Sequence, residues 1–158
     1  MPTREEFDNH TENRNADGTV RIDSNIACTD KKSKSTYRYL NVSQKHVAKI
    51  RVDGGLIATD AERCDWLLVN WDDGVSFFIE LKGSDLFKAI SQVTSTINHI
   101  WNDLNALAIQ CANARIVLSK NRFPAYKNDS RYKIFEKLVK QKNGDTPKIG
   151  AQQMQEQY

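Results

Sequence analysis

Three consecutive runs decide the fold: Cys64-Asp-Trp-Leu-Leu-Val-Asn70, Trp71-Asp-Asp-Gly74 and Val75-Ser-Phe-Phe-Ile-Glu-Leu-Lys82. Two apolar, β-prone stretches flank a cluster of turn formers, the pattern of a β-hairpin. With the turn centred on Asp72 and Asp73, residues whose numbers sum to 145 stand opposite one another. Asp65 then faces Glu80. Directly opposed residues share a sheet face with Cβ atoms about 4.5 to 5.5 Å apart, and Lys82, two residues beyond Glu80, shares that face. A slip of one residue would send the set to opposite faces, so the register carries the prediction.

Working outward, Ser84 and Asp85 supply a capping oxygen and a first-turn acid for a helix. Leu86, Ile90, Val93, Ile97, Trp101, Leu104, Ala108 and Cys111 then recur every three or four residues, which predicts one amphipathic helix from Ser84 to Ala112. Arg115-Ile-Val-Leu-Ser119 reads as a short buried strand, completing a βαβ crossover with parallel outer strands. Ser130 opens a second helix, with Tyr132, Phe135, Leu138 and Val139 inward, ending at Asn143-Gly144. Upstream, Ser43 is read as capping a short helical turn through Ile50, and Val52 to Gly55 as a strand end. Residues 1–35 are polar and without period, which predicts an arm or irregular structure draped on the core; residues 36–158 are expected to form one α/β domain. The tail after Ile149 carries little signal.

At 158 residues the chain is long enough for one core and short for two. No run approaches the roughly 20 apolar residues of a membrane span, and the first residues lack the apolar stretch of a secretory signal. A cytoplasmic protein is the expectation. Cys28, Cys64 and Cys111 are far apart and lack zinc-ligand spacing, so they are read as reduced, packed residues. The net charge of +3 hides an asymmetry: acids outnumber bases from Met1 to Asp30, whereas ten bases between Arg115 and Lys148 face only Asp129, Glu136 and Asp145. That basic segment, with Phe123, Tyr126 and Tyr132 among its charges, suits a phosphate backbone and stacked bases, or else a solvated lysine face.

A carboxylate pair on neighbouring strands offers the hard oxygen ligands that Mg²⁺ prefers, waters and substrate phosphate completing the octahedron. Asp65 and Glu80 are therefore the candidate metal ligands, with the carbonyl of Leu81 as a third, neutral oxygen; Mn²⁺ is the natural substitute. Lys82 beside them is suited to orienting the attacking water or to stabilising charge on the phosphorane. The bland alternative for the three charges is a surface ion-pair cluster. Against it stands their setting inside strongly apolar strands, CDWLLV and SFFIEL.

Asp65, fourteen residues, then Glu80-Leu81-Lys82 at a strand end, followed by a helix and a parallel strand, resembles the PD-(D/E)XK nuclease superfamily over roughly Lys49 to Lys140. The resemblance implies a restriction-endonuclease-like core: a mixed central sheet with a β-hairpin, a long crossover helix and a flanking C-terminal helix. It implies cleavage of nucleic-acid phosphodiesters, DNA rather than RNA, with Asp65 and Glu80 as metal-binding acids and Lys82 as the catalytic lysine. In some branches a glutamine on the crossover helix supports the metal or the substrate strand, which makes Gln92 a further catalytic candidate. Cys64 stands where the family pattern has proline, and Glu62 and Asp53 are the candidates for the acid that many members carry upstream. His99 is read as a helix-surface residue; Trp66, Trp71 and Trp101 are read as packing residues before stacking platforms, with exposure left open for Trp71 because it lies in the turn. The alternative reading is a nuclease-like fold acting without catalysis, as a nucleic-acid-binding or antagonist-like protein-interaction module, with the acidic arm toward a protein partner. Whether the chain forms a homodimer is left open.

Overall fold

The computed structural model describes residues 2–57, 62–120 and 123–158. Its centre is a five-stranded mixed sheet in the order β3-β4-β5-β6-β7, made of Val47–Arg51, Trp66–Asn70, Val75–Lys82, Cys111–Leu118 and Lys148–Ala151. The first three strands pair antiparallel and the last three parallel. One face carries α2 (Leu86–Ala106) and α3 (Ser130–Gln141), the crossovers from β5 to β6 and from β6 to β7. The other face is covered by a three-stranded mixed sheet, β1 (Asn25–Thr29), β2 (Thr36–Leu40) and β8 (Gln153–Gln157), in the order β1-β2-β8. With both faces covered, β4 to β6 read as near-continuous apolar runs. No helix among the described residues is long and apolar enough to cross a membrane.

The hairpin register is the one expected. Trp66 pairs with Ile79, Leu67 with Phe78 and Asn70 with Val75, all on the sum of 145. The turn closes through Gly74 at φ +70°, whose N–H donates to the Asn70 carbonyl at 2.9 Å, while Asn70 Oδ1 accepts from the Asp73 N–H at 3.0 Å. Phe78 joins Leu67, Val69 and the helices in one cluster, and Phe77, Ile79 and Leu81 join Tyr37 and Tyr39 in the other. Even-numbered residues of β5 therefore face α2, and Glu80 and Lys82 are among them.

The crossover helix is shorter than its apolar stripe suggests. Asp85 caps it, accepting from the Lys88 N–H at 3.0 Å, and it ends at Ala106, with Cys111 already in β6. The stop is a Schellman closure: Ile109 N–H donates to the Leu104 carbonyl and Ala108 N–H to the Asn105 carbonyl, both at 3.1 Å, with Leu104 and Ile109 buried together. The left-handed position falls on Ala108, at φ +68°, where glycine is the unstrained residue. Ala108→Gly is accordingly expected to stabilise the fold by about 1 kcal/mol, read as a higher urea midpoint at unchanged slope.

Three expectations are corrected. Residues 47–51 form β3 rather than a helical turn: Val47 packs on the three-stranded sheet, and Ala48 and Ile50 pack toward the helices. The strand is only five residues long, with Lys49 half-buried and Arg51 exposed on one face, and so short a run carries little period of its own. Of the two readings of the N-terminal segment, the structure shows the draped one and not a free arm, but residues 2–35 are not wholly irregular. They contribute α1 (Arg4–Asp8), capped by Thr3, and β1, and they bury Phe7, Val20, Ile26 and Cys28. The tail is not silent either, since it supplies β8 and Gln152 (φ +65°) turns the chain out of β7. Trp71 packs as read: half-buried, it donates to Asp8 Oδ1 at 2.9 Å and lies edge-on against Phe7.

A candidate metal centre at the end of the hairpin

Continuing the hairpin register by one residue puts Asp65 opposite Glu80. The contacts agree: Asp65 N–H donates to Glu80 Oε1 at 3.1 Å, and Leu81 N–H donates to Asp65 Oδ2 at 2.8 Å. Together with Lys82, Gln92, Asp53 and Asp30 these residues line a cleft of about 250 Å³ where β5 ends and α2 begins. Glu80 is only 2 % exposed, buried by the helix-side packing that β5 alternation imposes on it. Burial, and then the negative charge of Asp65 and a hydrogen bond with it, push the Glu80 carboxyl up to about 10. Asp65 is also raised, first by burial, with Leu81 N–H and Glu80 pulling against it. Burial and the neighbouring charge thus favour the protonated form of Glu80 at neutral pH.

That proton makes a stability statement. A carboxyl raised in the folded state contributes stability that is full below its unfolded value of 4.5 and fades as the pH climbs toward its folded value of about 10. Glu80→Gln keeps a neutral donor in place and escapes this loss. Its advantage over the wild type is expected to grow steadily between about pH 5 and 9 in parallel urea titrations.

Leu81 and Lys82 diverge at the backbone. The Lys82 carbonyl accepts from Ser119 N–H at 2.8 Å and from Ser35 Oγ at 3.3 Å, on the β6 side. Leu81 N–H points the other way, to Asp65, and in a strand the carbonyl of a residue follows its N–H. The Leu81 carbonyl is therefore directed to the side where β4 has already ended and the cleft lies. Lys82 is half-buried and makes no ion pair among the described residues. Gln92, on the second turn of α2, donates Nε2 to the Arg63 carbonyl at 3.4 Å; its Oε1 is the one buried side-chain polar atom among the described residues without a partner. An orphaned acceptor at the cleft wall is what a bound water or ion would satisfy.

Of the two upstream acids, Asp53 lines the cleft, held by Arg63 Nε at 2.8 Å, whereas Glu62 turns to Ser91 and Lys88 on the outer face of α2 beside His99. Asp30 and Lys32 escaped the sequence reading. They arrive on the β1–β2 turn, from a segment whose polar composition gave no sign of packing near the hairpin. Among the described residues no group of three or more His, Cys, Asp or Glu side chains is placed to hold a metal. A hard divalent ion would have to take Asp65, Glu80 and the Leu81 carbonyl, with waters for the rest. Two carboxylates, an amide oxygen aimed into the cleft and an unsatisfied Gln92 oxygen fit such an ion, provided Glu80 surrenders its proton.

The basic C-terminal third is dispersed. Arg115 is fully buried, forked onto Asp145 at 2.7 and 2.9 Å and bonded to Glu156, which also takes Lys148 and Tyr37. Arg131 pairs with Asp129 over the Phe87 ring, and Lys140 with Glu136. Arg122 lies outside the described residues. Phe123, Tyr126 and Tyr132 pack on one another, and Tyr132 is buried. Trp66 and Trp101 are core residues as read, and the three cysteines are free. Compared with protein-family models, with curated proteins and with solved structures, the chain finds no match.

Proposed function

We propose that the chain is a divalent-metal-dependent nuclease with a restriction-endonuclease-like core, acting on DNA in preference to RNA. The observation that carries this reading is the register of the hairpin, which seats the Glu80 carboxyl on the Asp65 N–H and the Asp65 carboxyl on the Leu81 N–H, with Lys82 on the same face at the strand end. Support comes also from the strand order, with the Glu80-Leu81-Lys82 strand feeding α2 and then a parallel β6. Asp65, Glu80 and the Leu81 carbonyl would hold Mg²⁺ or Mn²⁺, which supplies Lewis acidity toward the phosphate and a water of lowered pKa. Lys82 brings a positive charge to the non-bridging phosphate oxygens as charge builds on them. Gln92 Oε1 is free to accept from a water or a sugar hydroxyl at the cleft wall.

Incubation of supercoiled plasmid and of single-stranded DNA with the protein and Mg²⁺ or Mn²⁺ tests this, with EDTA as the control. Cleavage that ignores the chelator overturns the reading. A second reading, a nucleic-acid-binding module of the same fold without catalysis, draws on the absence of a third metal-binding side chain among the described residues. Calorimetry separates the two, since that module would bind DNA and neither bind nor need a divalent ion.

A further inference from the structure

We infer that the turn between β1 and β2, with Lys31, Lys32 and Lys34, is the phosphate-backbone subsite that seats a nucleic-acid strand across the carboxylate cleft. This rests on the nuclease reading for the nature of the ligand and goes beyond it in assigning the contact to the N-terminal segment. The turn is anchored on both sides: Thr29 carbonyl accepts from Trp66 Nε1 of β4 at 3.0 Å, and Ser35 Oγ donates to the Lys82 carbonyl of β5 at 3.3 Å. Its tip is thereby held beside Asp65 and Lys82. Asp30 Oδ1 is occupied by the Lys32 N–H at 3.2 Å, and Ser33 Oγ receives the Ser35 N–H at 3.1 Å, which fixes the turn from within.

Lys31, Lys32 and Lys34 are all exposed, and none is in an ion pair among the described residues, whereas Arg51 and Arg63, which flank the same cleft, are engaged by Glu12 and Asp53. Lys32 lines the carboxylate cleft, and Lys31 and Lys32 line the hollow that adjoins it through Asp30, Asp53 and Asp65. Free ammonium groups outside a ring of carboxylates suit a ligand with a string of anionic groups, one of which enters the acidic centre with a metal while its neighbours are held by cations. The basic third of the chain is a poorer candidate, because Arg115, Arg131, Lys140 and Lys148 are already committed to Asp145, Asp129, Glu136 and Glu156.

Fluorescence anisotropy with labelled single-stranded and duplex DNA, in EDTA so that nothing is cut, tests the assignment across a salt series. Lys31→Ala/Lys32→Ala/Lys34→Ala is expected to weaken binding about 10- to 100-fold at 0.1 M salt and to flatten the log–log salt slope by roughly 2 to 3. Lys133→Ala/Lys137→Ala/Lys140→Ala on α3 is expected to stay within about twofold of the wild type. Unchanged affinity and slope in the first variant, a larger loss in the second, or no binding of either DNA by the wild type each overturn the inference. Binding that depends on the turn lysines without any metal-dependent cleavage leaves this inference standing and removes the nuclease reading instead.

Discussion

Glu80→Ala and Lys82→Ala are each expected to fold and to lose at least about 1,000-fold of metal-dependent cleavage, the scale at which removal of one preorganised electrostatic partner acts. The two losses should differ in kind. Glu80→Ala removes a ligand and the proton it carries together, so calorimetric binding of Mn²⁺ falls with activity. Lys82→Ala leaves Asp65, Glu80 and the Leu81 carbonyl in place, so binding persists while turnover is lost. Circular dichroism and urea unfolding establish that both proteins are folded, and Glu80→Ala should be no less stable than other large-to-small changes in the core. Undiminished cleavage in both variants would remove the assignment. Because burial holds a proton on Glu80 up to about 10, metal must displace that proton, and apparent affinity is expected to rise with pH below that value.

Arg115→Leu is expected to cost about 3 to 5 kcal/mol in urea unfolding, the range for breaking a buried ion pair from one side. The guanidinium has no exposure and lies among β6, β8, β2 and the loop before β7, bonded to Asp145, Glu156 and Tyr158. Removing it leaves Glu156 with Lys148, Tyr37 and Tyr158 but without the guanidinium whose hydrogen bonds, against burial and together with that of Lys148, bring its carboxyl down to about 2. Adding Glu156→Gln to Arg115→Leu should return part of the loss, since a charge that has lost its principal partner is then removed. A double variant no better than the single would place the loss in packing.

The carboxylate pair was legible because it depends on local rules: a four-residue turn, alternation along β5 and one register. The βαβ unit was legible for the same reason. The helix end was misjudged because Ala108 and Cys111 continue the apolar stripe, and the closure depends on a left-handed alanine, a position that composition does not flag. β3 was hidden by its five-residue length and by Lys49 and Arg51 on one face, and β8 by its polar sequence Gln-Met-Gln-Glu-Gln, whose role is to bring Glu156 to Arg115. Asp30 and the turn lysines belong to the site only through tertiary contact, through Thr29 to Trp66 and Ser35 to Lys82, and no spacing in the chain announces that. Arg115 gave one usable signal, a lone arginine inside the apolar run Ala114 to Leu118, with acids available later in the chain.

The parallel pairing of β2 with β8 joins segments that lie most of the chain apart. During synthesis, everything needed for the helix-side core and for the Asp65–Glu80 contact has emerged before residues 153–157 have. Until they do, β1 and β2 form a two-stranded ribbon, a marginal structure on its own, and closing so long a loop is slow. The acidic centre and the anchors of the lysine-bearing turn, Trp66 and Lys82, are thus available before β8 closes the smaller sheet.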